Sequence, residues 1–446
     1  MILRSFFVFL LLITQLGFSQ VKFESFDDLQ TLLTAAQTRN KLIFVQTKSD
    51  NCNQCNDVAR MGLSSTKLRE KYAQNFISIE VDMESKIYKQ LIKKTTFRVL
   101  PSSIFLDTNA DLIGLDWESH FDENKYLELA DNAITNAKDP VRRDLEAKYK
   151  SGNRDKDFLK KYIEYKISVE HEVESITEEY INLHTIGELS TIENVKLLIN
   201  TASPIDSKIR KVLYAVLPEK MTDSLFRILP FNQRVIINSK ISGATFRKAA
   251  TEKNSTLAGR LATFVSNGHG KDWEKGSFFY QTTILRFYKE VKDTLKFLST
   301  AETFANYTLM TSSLDTLLKR DSIARSKYLA STKKDTLISE SYNSFYQKYA
   351  DELNDIAYRY FEYSNDLNKL NKALKWAKRA LEINEVLSMD ASRKKNPYMM
   401  DTYAQLLFKL GQKEDAIKWQ TDVIETAKLW KADTTKFEET LEKMKQ

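Results

Sequence analysis

Apolar and polar positions change their spacing twice along the chain. Met1 to Arg4 carries one positive charge, and Ser5 to Leu16 is an almost unbroken apolar run that Gly17, Phe18, Ser19 and Gln20 bring to a close. This is the layout of a secretory signal peptide over residues 1–20, with cleavage expected near Ser19 or Gln20. The run is shorter than the roughly 20 residues a membrane span needs. An uncleaved N-terminal anchor is the alternative reading. No later stretch approaches spanning length, so the mature protein is expected outside the cytoplasm, periplasmic or secreted, without a membrane span.

From 21 to 138, strand-length apolar runs alternate with helical spacing. Ser25 is placed to cap a helix whose Leu29, Leu32, Leu33 and Ala36 share one face. Lys41 to Thr47 reads as a strand, followed by the polar turn Lys48-Ser49-Asp50-Asn51 and a helix from about Cys52 to Ala73. Phe76 to Val81 alternates as a strand, and Ser85 to Phe97 is helical. Ser102 to Leu106 and Leu112 to Trp117 flank Asp107-Thr108-Asn109-Ala110-Asp111, which is turn chemistry for a hairpin. Asp122 to Asn136 closes the unit as a helix, and Val21 to Phe23 is a candidate first strand. The order predicts an α/β domain with a mixed sheet flanked by helices.

After Lys138-Asp139-Pro140 the spacing becomes almost wholly helical, with breaks near Pro204, Pro218, Pro230, Gly268 to Gly270 and Pro397. Trp273 to Leu298 carries Phe278, Phe279, Leu285 and Phe287 at helical spacing, the pattern of a packing core. Residues 141–340 read as one all-helical domain without an assignable repeat, and residues 341–446 as helical hairpins. Within the last segment Tyr403, Ala404, Gly411 and Ala416 set small residues where two helices meet and turn. Ala357, Ala373, Ala380 and Leu381 form a looser copy, with a longer turn at Ser364 to Asn371.

Composition agrees with a large helical protein. Only 11 Gly and 6 Pro occur in 446 residues, too few for a loop-rich or all-β chain. The 67 basic and 60 acidic residues leave a charge of +7, but the signs are interspersed and no block marks a nucleic-acid partner.

Only two cysteines are present, Cys52 and Cys55. An exported protein stapled by disulfides would carry several, widely spaced. A zinc site needs four ligands, and His120, His171, His184 and His269 are scattered without ligand spacing. Asp82, Glu84 and Asp107 fall where strand ends and turns attract acids, His120 reads as a surface residue, and Asp351, Asp355 and Glu362 read as solvated helix faces. No phosphate loop or nucleophile elbow occurs, so neither a metal nor a cofactor is expected.

The Cys-x-x-Cys follows a strand and a loop and opens a helix. Two intervening residues put both sulfurs on one helical turn, so a Cys52–Cys55 disulfide can close. The helix N-terminus stabilises a thiolate, which makes Cys52 the attacking sulfur and Cys55 the resolving one. A structural disulfide is the weaker reading, because so short a loop removes little chain entropy.

Residues 21–138 resemble a thioredoxin-like domain, most like those of periplasmic thiol:disulfide interchange proteins. The resemblance rests on Leu42-Ile43-Phe44-Val45, Cys52 to Cys55, Leu63-Ser64-Ser65, Val81-Asp82, and Leu100-Pro101 before Ser103-Ile104-Phe105-Leu106-Asp107. Pro101 matches the family's cis-proline, which faces the dithiol and holds the partner's extended backbone. The resemblance implies substrate contacts at Pro101, Leu100, Asn53 and Gln54. It further implies substrate proteins bearing disulfides or thiols, and a membrane electron donor. Asn51 stands where the family has Trp, Asn53-Gln54 replaces Gly-Pro, and Gln46 replaces a buried acid. The segment Asp351 to Leu429 resembles two tetratricopeptide-type repeats. The expected activity is an exported protein-thiol oxidoreductase, a reductase in direction. The alternative is a non-catalytic scaffold that binds proteins through its helices.

Overall fold

The computed structural model describes residues 20–48, 53–82, 84–94, 101–116, 118–168, 173–331, 344–388, 390–430 and 432–446. The chain runs α1 (Leu29–Arg39), β1 (Leu42–Thr47), α2 (Asn53–Gly62), α3 (Thr66–Asn75), β2 (Phe76–Val81), α4 (Lys86–Lys94), β3 (Ser103–Leu106), β4 (Leu112–Asp116) and α5 (Glu123–Lys138). The described residues beyond α5 carry helices alone. These are α6 (Pro140–Lys150), α7 (Lys156–Ser168), α8 (Glu174–Asn182), α9 (Ile186–Leu189), α10 (Ile192–Asn200), α11 (Lys208–Val216), α12 (Glu219–Ile228) and α13 (Phe231–Thr251). Then come α14 (Ser255–Asn267), α15 (Trp273–Glu290), α16 (Thr294–Phe304), α17 (Leu314–Ser331), α18 (Gln347–Tyr363), α19 (Leu367–Leu387), α20 (Pro397–Lys409), α21 (Lys413–Leu429) and α22 (Thr435–Lys445). The chain divides into two compact units. One comprises residues through Thr201 with Lys211–Phe226, the other Ala202–Arg210 with Arg227–Gln446.

The first unit holds a four-stranded mixed sheet in the order β2-β1-β3-β4. β1 is parallel to β2 and antiparallel to β3, and β3 and β4 form the hairpin. β1 is buried from Ile43 to Thr47, which is why it reads as a continuous apolar run rather than an alternating one. Its alternate side chains supply two cores. Ile43 and Val45 pack with Ile77, Ile79, Ile104 and the inner faces of α1 and α4. Phe44 packs with Phe76, Phe105, Tyr72 of α3, and Tyr126 and Ala130 of α5. Phe44 meets Tyr72 edge to face at 4.8 Å between centroids.

Three local expectations change. The cap of α1 is Asp28, not Ser25: its carboxylate accepts from the Thr31 N–H at 2.9 Å while Thr31 Oγ1 accepts from the Asp28 N–H, a reciprocal box that Ser25 cannot make. The helix expected over Cys52 to Ala73 is two helices. Leu63 and Ser64 leave the helical path to meet the N-terminal segment, through Val21 N–H donating to the Leu63 carbonyl and a Gln20–Ser64 bridge, and Ser65 caps α3. Val21 to Phe23 forms no strand of its own; isolated bridges at Gln20 and Glu24 flank it.

The sheet-bearing unit continues into the helices. Asp107 Oδ1 accepts from the N–H groups of Asn109 and Asp111, which shapes the hairpin. Its Oδ2 receives Arg142 of α6 at 2.7 Å, with both side chains buried. Lys150 pairs with Asp111 at 2.8 Å beside it. Further along, Glu146 accepts from Lys166 and Tyr162 of α7, so α7 locks onto α6 through a second buried charge pair.

The helical turns share a device. Gly152, Lys253, Lys292 and Gly411 take positive φ of 91°, 50°, 58° and 81° just after α6, α13, α15 and α20. In each, the next residue's N–H reaches back to a carbonyl five positions earlier, as for Asn254 to Ala249 at 2.8 Å and Asp293 to Tyr288 at 2.9 Å. Asn254 and Asp293 then cap the following helix with their side chains. In the second unit, α18 against α19 and α20 against α21 are antiparallel hairpins. Ala357, Ala373, Ala380, Ala404 and Ala416 are all fully buried, so the helices approach closely where the small residues stand. The α18–α19 turn is only Ser364 to Asp366, shorter than expected, because Asp366 caps α19.

Candidate functional site

The end of β1 lies beside the start of β3, which Pro101 and Ser102 precede. Antiparallel pairing sets Gln46 opposite Ser103 there. Thr47 and Ser102 are then laced together. The Thr47 N–H donates to the Ser102 carbonyl at 2.9 Å, the Ser102 N–H donates to Thr47 Oγ1 at 2.7 Å, and the two hydroxyls are 3.0 Å apart. Both residues are buried, and Pro101, the next residue back, is buried with them. Pro101 is therefore anchored at the sheet end from which the chain leaves β1 toward α2.

Cys55 lies in the first turn of α2, half-buried, and is disulfide-bonded. Cys52, Leu100 and Ser19 lie outside the described residues, as does most of the apolar leader. Asn53 and Gln54 lie in α2, at its first two positions. The far end of α2 is pinned by close approach: a Cβ on Gly62 would run into the carbonyl oxygen of His120 and the ring of Tyr126. That requirement, together with the Thr47–Ser102 lacing, escapes a reading of motifs. A glycine inside a helical run was its one signal.

Gln46 is 2% exposed. Its Oε1 accepts from the Ser103 hydroxyl at 2.9 Å and its amide donates to the Thr47 carbonyl at 3.3 Å. A neutral amide with its own partners thus fills this buried place at the end of β1.

The other candidate residues are engaged structurally. His120 sits 3.1 Å from Asp116 through Nε2 and is half-buried rather than a surface residue. His184 Nδ1 meets the Tyr180 carbonyl at 2.7 Å, and His269 stacks on Phe279, where burial lowers its pKa. His171 lies outside the described residues. Asp82 accepts from the N–H groups of Glu84 and Ser85, and Glu84 pairs with Lys89. Asp355 is not a freely solvated acid: it pairs with Lys289 of α15 at 2.9 Å, and Glu362 pairs with Arg359. Asp351 is exposed, whereas its neighbour Glu352 is half-buried and loss of solvent pushes its carboxyl up to about 8. Among the described residues, no three His, Cys, Asp or Glu side chains gather as a metal site, and no helix is long and apolar enough to cross a membrane.

No protein-family model matches the chain, and no curated protein matches it either.

Proposed function

We propose that this protein is an exported protein-thiol:disulfide oxidoreductase of the thioredoxin-like class, working as a reductase through Cys52 and Cys55. The observation that carries the reading is a cysteine in the first turn of α2, the helix that follows β1, with a buried proline directly before Ser102, which is hydrogen-bonded to Thr47 at the end of β1. In the reducing cycle the Cys52 thiolate attacks one sulfur of a substrate disulfide. A mixed disulfide forms and one substrate thiolate leaves. Cys55 then attacks the Cys52 sulfur, expelling the second substrate thiolate and closing the Cys52–Cys55 disulfide. The two electrons return from a dithiol donor, for which a membrane protein is the expected source. Pro101 and Leu100, with Asn53 and Gln54, hold the extended substrate chain. The N-terminal leader directs the protein to the periplasm or the exterior.

The helical unit selects partners in this reading, and α18 to α21 are tetratricopeptide-like. Stacked helical hairpins present extended surfaces suited to proteins or peptides. The second reading, a non-catalytic scaffold, draws on the same hairpins.

A glutathione titration with thiol alkylation and mass readout separates the two. A reductase is expected to poise near the thioredoxin value of about −270 mV, and an oxidant near about −120 mV. Cys52→Ser is expected to abolish insulin reduction. A pair that does not cycle, or a Cys52→Ser protein with undiminished reductase activity, moves the function to the scaffold.

A further inference from the structure

In the second unit, a π turn at Ala305–Leu309 comes directly after α16, with the Met310 N–H reaching the Ala305 carbonyl at 2.9 Å. Such turns put the residues beyond them out of helical register and are frequent at functional sites. Here the displaced segment Met310 to Ser313 stands off α19 and leaves a cleft of about 520 Å³. Two bonds hold its lip: Trp376 Nε1 donates to Asn306 at 3.1 Å, and Arg379 donates to the Ser312 carbonyl at 2.6 Å. The lip is therefore built rather than draped.

The lining is almost all donors. Lys375, Lys378 and Arg379 line one wall from α19, and Thr311, Ser312 and Ser313 face them, with Met310 as apolar lining. Glu382, the one acid there, is held by Arg379 at 3.2 Å. Neighbouring cations are neutralised, Lys372 by Glu302 and Arg320 by Glu274. Lys375 and Lys378 are exposed and paired with no carboxylate among the described residues.

We propose that this cleft docks an acidic peptide segment of a partner protein. Lys375 and Lys378 lie about one helical turn apart, a spacing of roughly 5 Å that suits successive carboxylates along a chain. Met310 adds an apolar contact to the lining. The proposal stands apart from the dithiol chemistry and needs no cysteine.

The test is fluorescence anisotropy on the full chain, with a labelled peptide that alternates glutamate pairs with single leucines. Saturable binding that weakens with salt is expected. The double variant Lys375→Glu/Lys378→Glu is expected to weaken it at least tenfold, while Lys418→Glu/Lys443→Glu, of equal net charge, leaves it unchanged. Absence of saturable binding overturns the proposal, as does equal weakening in both double variants. Displacement of the peptide by inorganic phosphate at equal concentration also overturns it, in favour of a small-anion site.

Discussion

Gln46 shows how one side chain sets the chemistry available to its surroundings. As an amide it neither takes nor gives a proton, and its partners Ser103 and Thr47 satisfy it within the sheet. Gln46→Glu puts a carboxyl in the same buried place, where the partners among the described residues, Ser103 and Thr47, are neutral. Burial raises such a group above the roughly 4.3 of an unfolded glutamate. A raised folded pKa leaves stability intact below about pH 4 and removes it as pH climbs through the folded value. The variant is expected to match the parent in urea unfolding at pH 4, and to lose about 2–4 kcal/mol by pH 8. A loss that is the same at both pH values contradicts a buried carboxyl at this position. Asp401 of α20 shows the same sign without mutation. Burial pushes it up to about 6, against hydrogen bonds from Gln420 and Gln405 that favour its charged form. Its contribution is complete below the usual aspartate range and fades as pH rises through about 6. Asp401→Asn is expected to flatten that part of the stability profile, read as thermal midpoint from pH 5 to 7.5.

At the level of elements, the turns after α13 and α15 hold lysines in the left-handed region, Lys253 at φ 50° and Lys292 at 58°, both exposed. An L side chain there costs about 1–2 kcal/mol, most of which glycine avoids at some cost in chain entropy. Lys253→Gly and Lys292→Gly are each expected to stabilise the protein by about 0.5–1 kcal/mol, seen as a higher urea midpoint with an unchanged slope. These turns also show why legibility was uneven. Phe76 to Val81 and the face of Leu29, Leu32, Leu33 and Ala36 were readable, because burial on a sheet or helix imposes a period on the chain. The αL turn is readable at Gly411, where residue type matches conformation, and unreadable at Lys253 and Lys292, where hydrogen bonds override residue type. The break at Leu63 to Ser65 leaves no local signal, because its cause, the segment beginning at Gln20, lies some forty positions away. Cys55 and Pro101 stand out in the sequence by motif and by order. The lacing of Thr47 to Ser102 does not, since it exists only once β1 and β3 pair.

For the whole molecule, the spacing of apolar positions changes near 138, whereas the compact unit runs on through Thr201 and buried charges cross that line. Arg142 and Asp107 are buried, with side chains 4% and 11% exposed. Removing one partner of such a pair strands the other charge, a loss of about 3–5 kcal/mol. Arg142→Met is therefore expected to destabilise the sheet-bearing unit by that amount in urea, and Asp107→Asn/Arg142→Met to recover part of it. Near-neutral behaviour of Arg142→Met alone would place the sheet's stability elsewhere.

The same pair joins residues 35 positions apart in the chain, and that separation has a direction in time. A chain emerging end-first, from a ribosome or through a membrane pore, completes the β3–β4 hairpin well before α6 is out. Until then Asp107 has its turn but no cation, and the young sheet holds an acid it is not yet built to keep. The unit reaches its final stability only when the first of the helices arrives. A nascent chain stopped at 138 is expected to be cut by protease at a rate the same chain extended to 168 resists.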